Sequence, residues 1–386
     1  MLYALGGALL ATPLAAQDAQ FQNYLQSLWP QAQAAGVSRE IFDSVVDGLT
    51  PDASVLSRPK TQGEFTIPVP AYLAGVVTSE RVARGRAFAA RLSATLGRIE
   101  ARSGVSAEII VAILGVESAY GGGAGSADTP RVLATLAYKG ERGATFAEEF
   151  VAALVMLQNG YVTRDKLKGS WAGATGQPQF LPTAYLKYAV SASGEGAADI
   201  WGSSADAAAS VGNFLAKSGW IAGLPWGIEV VVPKDFDYAD FDLDLSQWRA
   251  LGFARADGDA LPARGPASLY LPAGARGPAF LITDNFEAIR QYNISDSYAL
   301  AVGVLADRIA GRMTPRAPWP KIVALSTAEM RSLQTLLTQR GYYSGVIDGK
   351  LGRASRNALH AFQKSAGISP ADGFATREMI AKLRSE

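Results

Sequence analysis

The chain of 386 residues contains no cysteine and a single histidine, His360. Without cysteine there is no disulfide, no thiolate metal site and no cysteine nucleophile. One imidazole far down the chain excludes a histidine-rich zinc site and leaves little room for a Ser-His-Asp triad. Charge is sparse and balanced, with 18% charged residues and a formal net charge of +1. Such a molecule carries no polyanion-seeking field, so nucleic acid is not an expected partner. The apolar run at the N-terminus, residues 2–11, is too short for a membrane span. Any catalysis must come from carboxylates, hydroxyls and amides.

What is present describes a folded protein of two or three domains: the apolar content is 48% and the length allows a large core. The segment MLYALGGALLATPLAAQ reads as a signal peptide over residues 1–16, with Leu14-Ala15-Ala16 before Gln17 as cleavage site, although its charged n-region is missing. No cysteine follows the apolar run, so a lipid-anchored mature N-terminus is not expected. An exported, soluble, periplasmic protein is expected.

The chain is organised around Gly104–Gly123, GVSAEIIVAILGVESAYGGG. Ser106 reads as an N-cap and Glu108 falls in the first turn, where the helix dipole favours an anion. From Ile109 the pattern is apolar almost all round, as in a helix buried on most sides. Glu117 comes next, before Ser118, Ala119, Tyr120 and three glycines. Desolvation and the negative end of the dipole both push such a carboxyl toward its protonated form, the state a general acid needs. The competing reading is a surface turn cap or an arginine pair.

Before this segment, residues 17–60 read as helical, Pro51–Pro70 as irregular, and Thr78–Arg102 as one long amphipathic helix. After it, helices are predicted from Thr129-Pro130 and over Phe146–Gln158. Gly169–Tyr188 is Gly-rich and polar. Its Ser170, Trp171, Gln177, Gln179 and Phe180 suit a sugar-binding wall, with a plain connecting loop as the alternative. Ser191–Trp201 looks like a degraded calcium loop in which Ser191, Ser193 and Glu195 take the first ligand positions and Gly202 the closing one. With one carboxylate among those positions no metal is expected. Residues 205–219 form another helix. Short β-rich runs at Ile228–Val232 and Leu269–Thr283 suggest a small β insertion. Phe286–Gly311 reads as helical and contains the polar-aromatic cluster Gln291–Tyr298. Residues 312–325, with three prolines and three basic residues, form a semi-rigid exposed linker. Three short helices, opening near Ser326, Ser355 and Thr376, then make an autonomous module. There, packing is the better reading of His360.

The motifs Gly115-Val116-Glu117-Ser118-Ala119-Tyr120-Gly121, Ser170–Gly176 and Gln179-Phe180-Leu181-Pro182 resemble the lytic murein transglycosylase B family. Gly219-Trp220 and the Gln291–Tyr298 cluster resemble its later motifs. Residues 326–384 resemble a three-helix peptidoglycan-binding domain through Leu333-Gln334, Gly341-Tyr342-Tyr343, Asp348-Gly349, Gly352 and Phe362-Gln363. The resemblance implies a mainly α fold: a lysozyme-like helical core, roughly 78–220 and 284–311, inside a catalytic domain at 17–311. The linker at 312–325 and the binding module at 326–386 complete it. It implies Glu117 as sole catalytic acid and base, cleaving between N-acetylmuramic acid and N-acetylglucosamine to leave a 1,6-anhydro end, with no cofactor. Ser118, Tyr120, Arg142, Ser170, Gln177, Gln179, Phe180, Phe214, Tyr292, Asn293 and Tyr298 are the implied substrate-binding residues. Phe214 stands where relatives tend to carry tyrosine. Expected partners are glycan strands and other cell-wall enzymes, for a monomeric chain. A muramidase-type hydrolase and an inactive wall-binding scaffold remain open.

Overall fold

A computed structural model describes residues 13–57, 67–140, 142–238 and 241–385 of the chain. The apolar segment 2–11 lies outside the described residues. The chain begins with α1 (Pro13–Ser27), α2 (Trp29–Ala34), α3 (Arg39–Val46) and α4 (Ala53–Leu56). Local capping explains the last two. Ser38 Oγ accepts the Ile41 N–H at 3.2 Å to start α3, and the Asp52 carboxylate accepts from Ser54 and Val55 to start α4. Helix α4 thus forms inside a stretch expected to be irregular.

Next come α5 (Val69–Val76), α6 (Ser79–Arg91) and α7 (Ser93–Ser103). The single helix expected over 78–102 is therefore two, broken at Leu92. Phe88, Leu96 and Ile99 stay buried on both sides of the break, so the apolar stripe survives it. Helix α8 (Ala107–Ser118) is the next element, with Ile110–Leu114 fully buried as the sequence pattern predicts.

After α8 the order is β1 (Ala127–Asp128), α9 (Thr129–Lys139), α10 (Gly143–Gln158), β2 (Lys168–Gly169), α11 (Pro182–Tyr188) and α12 (Ser204–Lys217). Then come β3 (Gly227–Val231), β4 (Asp242–Asp244), α13 (Leu245–Ala250), β5 (Ala254–Arg255), β6 (Pro266–Tyr270), β7 (Ala279–Ile282), α14 (Asp284–Arg290) and α15 (Asp296–Ile309). The terminal helices are α16 (Thr327–Gln339), α17 (Arg353–Ser365) and α18 (Arg377–Ser385).

These elements divide into two compact bodies. The first holds described residues 13–57, 92–99 and 113–214. It is helical apart from the two-residue pair β1–β2, and α9 packs against α10 with Phe150, Leu154, Val132 and Leu133 in the core. The second holds described residues 67–91, 100–112 and 215–385. Its antiparallel sheet has the order β4-β6-β7-β3-β5, with Ile228 opposite Leu281 and Leu269 opposite Leu281 on the other edge of β7. One core gathers Leu281, Leu269, Leu245, Trp248 and Phe253. The two β-rich runs of the sequence are its central strands. The edge strands β4 and β5 are too short to show a period of two. In the same body, Trp226 packs so closely on α15 that a Cβ at Gly303 would lie 2.4 Å from its ring.

The C-terminal helices form the expected module around Leu333, Leu337, Leu359, Phe362 and Leu383. A capping box joins Ser326 to Glu329 at the start of α16. The second helix opens at Arg353, after Gly352, not at Ser355. Ser355 instead receives the Gln334 amide, which also bonds Asp348 and the Lys350 carbonyl. His360 Nδ1 lies 2.5 Å from the Ala371 carbonyl, a packing role. Within the segment 312–325, the Glu229 carboxylate on β3 accepts the N–H groups of Arg316 and Ala317 at 2.7–2.9 Å. The module also bonds its neighbours. Asp372 accepts the Ala275 N–H at 2.8 Å, and Lys364 pairs with Asp237 at 2.8 Å. Among the described residues no helix is long and apolar enough to cross a membrane.

Candidate active site

Glu117 occupies the last turn of α8 and is half-buried. Backbone geometry locks the turn beyond it. Ala119 and Tyr120 both have positive φ, 49° and 63°, a region that costs L-residues roughly 1–2 kcal/mol each. The anchoring outweighs that cost, since Ile109, Ile110, Val111, Ile113 and Leu114 each contribute about 1.5–3 kcal/mol by burial. Three bonds close the turn: Tyr120 N to the Leu114 carbonyl (3.0 Å), Gly121 N to Ser118 Oγ (3.0 Å) and Gly123 N to the Ser118 carbonyl (2.7 Å). Ser118 is buried, and its hydroxyl also donates to the Leu114 carbonyl at 3.3 Å, so the structure places it as a cap. The Tyr120 ring folds back over Gly115, where a Cβ would meet it at 2.6 Å. Glycine at 115 is thus a condition of the tyrosine's position.

The glycine loop after Glu117 and the amide-aromatic loop are brought together. Strand β1 pairs with β2 in the register Ala127 to Gly169, and Arg164 forks onto the Asp128 carboxylate. A Cβ at Gly125 would fall 2.2 Å from the Gly169 carbonyl, so the two backbones touch there. Gln179, at φ 51°, donates its amide to the Ala124 and Gly176 carbonyls at 3.0 and 2.9 Å. Ser170 is half-buried, and its backbone N–H closes the loop on Ala174. Trp171 is 43% exposed and presents apolar ring surface to solvent. Arg142 lies at the start of α10 with φ 56°, its guanidinium 6.0 Å from the Phe146 ring.

Other residues of the expected wall turn inward. Gln177 is buried, its Nε2 donating to the Trp201 carbonyl and its Oε1 accepting from Ser204. Phe180 is buried against Phe214, and Phe214 lies 4.7 Å from the Tyr188 ring. These side chains hold the wall up. In the second body, Tyr292, Asn293 and Tyr298 form their own group. The expected continuous helix is interrupted at Gln291–Ser295, and Ser295 caps α15 by accepting from Tyr298 N. The Tyr292 and Tyr298 rings are nearly parallel, 13° apart with centroids at 6.4 Å, and Tyr298 is buried beneath its partner.

Sequence reasoning missed Glu149. It lies on α10 at 5% exposure and accepts from both Thr183 N (2.9 Å) and Thr183 Oγ1 (2.6 Å). Leu181 offers α11 no side-chain cap, so Glu149 caps that helix from a neighbouring one. Burial pushes its carboxyl above the usual range, partly offset by the two Thr183 bonds. The available signal was an acid inside the apolar face of Phe146–Leu154.

A helical body with a carboxylate at the end of a buried helix, and with a paired loop of amides and an exposed indole, has the architecture of a lysozyme-like protein. Over residues 20–307 the chain matches the transglycosylase SLT domain, and over 326–383 a peptidoglycan binding domain. It belongs to the transglycosylase SLT family. The structure of SltB3 from Pseudomonas aeruginosa, in complex with NAG-anhNAM-pentapeptide, is similar at TM-score 0.87 and 44% identity, covering 94% of this chain and 99% of that one. The Escherichia coli lytic transglycosylase Slt35, solved in complex with calcium, matches at TM-score 0.62 and 29% identity over 79% of this chain and 95% of that one. Membrane-bound lytic murein transglycosylase B of Escherichia coli (strain K12) is 33% identical over 241 residues, spanning 61% of this chain and 65% of that protein.

The loop at 191–202 does not fit a calcium ion here. Both Asp206 oxygens accept loop N–H groups, from Ala192 and Asp199 at 2.9 Å each, and Asp199 Oδ1 accepts from Trp201 and Gly202. Ser191 and Ser193 bond each other at 2.8 Å. With glycine at the closing position, the oxygens a six- to eight-coordinate ion needs are lacking or engaged.

Proposed function

We propose that this chain is a periplasmic lytic transglycosylase acting on the bond between N-acetylmuramic acid and N-acetylglucosamine of peptidoglycan, with Glu117 as its acid and base. Protonated Glu117 gives its proton to the glycosidic oxygen as the bond to the muramyl anomeric carbon breaks. The N-acetylglucosamine leaves with a free 4-hydroxyl. The carboxylate then takes the proton of the muramyl 6-hydroxyl, whose oxygen bonds the anomeric carbon. A 1,6-anhydro ring forms and no water is consumed.

The observation that carries this reading is the locked turn after the half-buried Glu117, whose glycine loop pairs with the loop bearing Ser170, Trp171 and Gln179. A two-carboxylate hydrolase needs a second acid flanking the scissile bond. In this body the buried Glu149 is committed to Thr183. The complexes of SltB3 with NAG-anhNAM-pentapeptide and NAG-NAM-pentapeptide support the same chemistry. The reading keeps a catalytic domain at 17–311 and assigns wall binding to 326–386, in an exported monomer needing no cofactor. Ser170, Gln179, Tyr120, Arg142, Tyr292 and Asn293 are the residues assigned to contact sugar.

The test is mass spectrometry of the muropeptides released from purified sacculi. Anhydromuramyl ends, lighter by one water than hydrolysed ends, are expected from the wild-type chain. Glu117→Gln should lose at least about 10²–10⁴-fold in rate while still sedimenting with sacculi. Reducing muramyl ends would make the chain a hydrolase, and near wild-type turnover in the variant would remove Glu117 from the mechanism.

A further inference from the structure

The second body contains a cavity of 610 Å³ that the catalytic reading does not use. Strands β3 and β5, the end of α15 and residues 311–316 surround it, and Ser106 and Ile109 close it from the start of α8. The volume lies within the range of small-molecule and peptide sites, about 300–1,000 Å³.

The acids on its wall already face donors. Asp307, 8% exposed, accepts from Arg312 Nε and Nη2 at 3.0 and 2.9 Å and from Trp226 Nε1 at 3.4 Å. Asp257 accepts the edge of the Arg255 guanidinium at 2.9 and 2.5 Å. Glu229 is capped by the Arg316 and Ala317 N–H groups, and Glu100 accepts the Ala107 N–H at 3.4 Å. The guanidinia, by contrast, are not saturated. Each carries five N–H donors, and the bonds to Asp257 and Asp307 engage only Nε and one terminal nitrogen of Arg255 and Arg312. Among the described residues the Arg316 guanidinium makes no ion pair. Four carboxylates and three guanidinia thus line the cavity, Arg316 is the guanidinium among them with no carboxylate partner among the described residues, and the remaining surface includes Trp220, Pro262 and Met313.

We infer that this cavity is a second binding site, which takes the free carboxylate terminus of a peptide on the Arg316 fork. Resting on the proposed function, that peptide is the stem of peptidoglycan. A planar guanidinium can hold such a carboxylate through two parallel bonds, and the apolar wall accommodates the aliphatic part beside it. The site would bias the enzyme toward peptide-bearing strands.

Isothermal titration of the full-length chain with the stem tetrapeptide L-Ala-γ-D-Glu-meso-diaminopimelate-D-Ala, and with the same peptide amidated at its C-terminus, tests this. Saturable binding of the free acid is expected, weakened at least about tenfold by Arg316→Ala or by amidation. Arg316→Lys should recover part of it, since it keeps the charge and loses the fork. Equal affinity for the wild type and Arg316→Ala, equal affinity for the two peptides, or no binding at all would overturn the inference. Anhydro-product release from peptide-free glycan is measured alongside and should be unchanged in Arg316→Ala. Peptide binding without such release would fault the catalytic reading alone, and release without peptide binding this one alone.

Discussion

At Gly115 a missing side chain leaves room for the Tyr120 ring. A methyl group at 115 would sit 2.6 Å from both Cζ and the hydroxyl of Tyr120, well inside contact distance. The tyrosine has little freedom to yield, because its backbone is held at φ 63° by the bond to Leu114. Gly115→Ala is therefore expected to cost about 1–3 kcal/mol and to displace the ring from its place over residue 115. A double-mutant cycle with Tyr120→Ala checks it: the clash vanishes in the double variant, so the two stability changes should fall short of additivity. Strict additivity would show that the ring is not what excludes a side chain. The motif around Glu117 was legible in sequence, yet the reason for its glycine was not, since the ring returns through a left-handed turn that no periodicity announces.

Among elements, α10 and α11 are joined by a buried carboxylate as well as by packing. The Glu149 carboxylate satisfies two donors at the start of α11, next to the loop that presents Ser170 and Gln179. Glu149→Ala removes the acceptor of both the Thr183 N–H and its hydroxyl, a loss of about 1–3 kcal/mol at roughly 0.5–1.5 kcal/mol for each bond. Thermal unfolding should register it, with lower turnover because the wall loosens. Glu149→Gln keeps one acceptor oxygen and should fall between. The raised pKa sets the sign of its pH dependence. A carboxyl that holds its proton more tightly when folded contributes stability at low pH, and this fades as pH rises through its folded value. Glu149→Gln should remove that fade; unchanged pH profiles in both variants would refute the assignment. The break at Leu92 and the turn at Gln291–Ser295 belong to this scale too. Both interrupt helices whose apolar stripes run on in register, so composition alone predicted one helix where there are two.

For the molecule as a whole, the C-terminal module carries its own acid sensitivity. Glu329 bonds Arg377 at 2.7 Å and caps α16, which lowers its carboxyl from 4.5 to about 2. The folded state then binds fewer protons than the unfolded chain, so the stability it contributes is complete above pH 4.5 and is lost as pH falls toward 2. The ring signals of His360, the chain's one histidine, give NMR a reporter confined to this module. Arg377→Ala should flatten its acid-unfolding profile across that window. An unaltered profile would show that the pair does not govern the module.

The amino-acid sequence by itself determined the helical class, the buried character of α8, the acid at its end, the polar-aromatic loop and the three-helix module. Each rests on patterns written within one segment: a period of 3.6, a cap, a glycine run. The tertiary structure decided that the amides of Gln177 and Gln179 bond within the wall itself. It decided that Phe180 and Phe214 are packing, that the segment at 312–325 is tied to Glu229, and that Arg255, Arg312 and Arg316 share one cavity. Those outcomes depend on partners 20 to more than 80 residues away, where hydrogen bonds and burial are settled by folding and leave no local period to read.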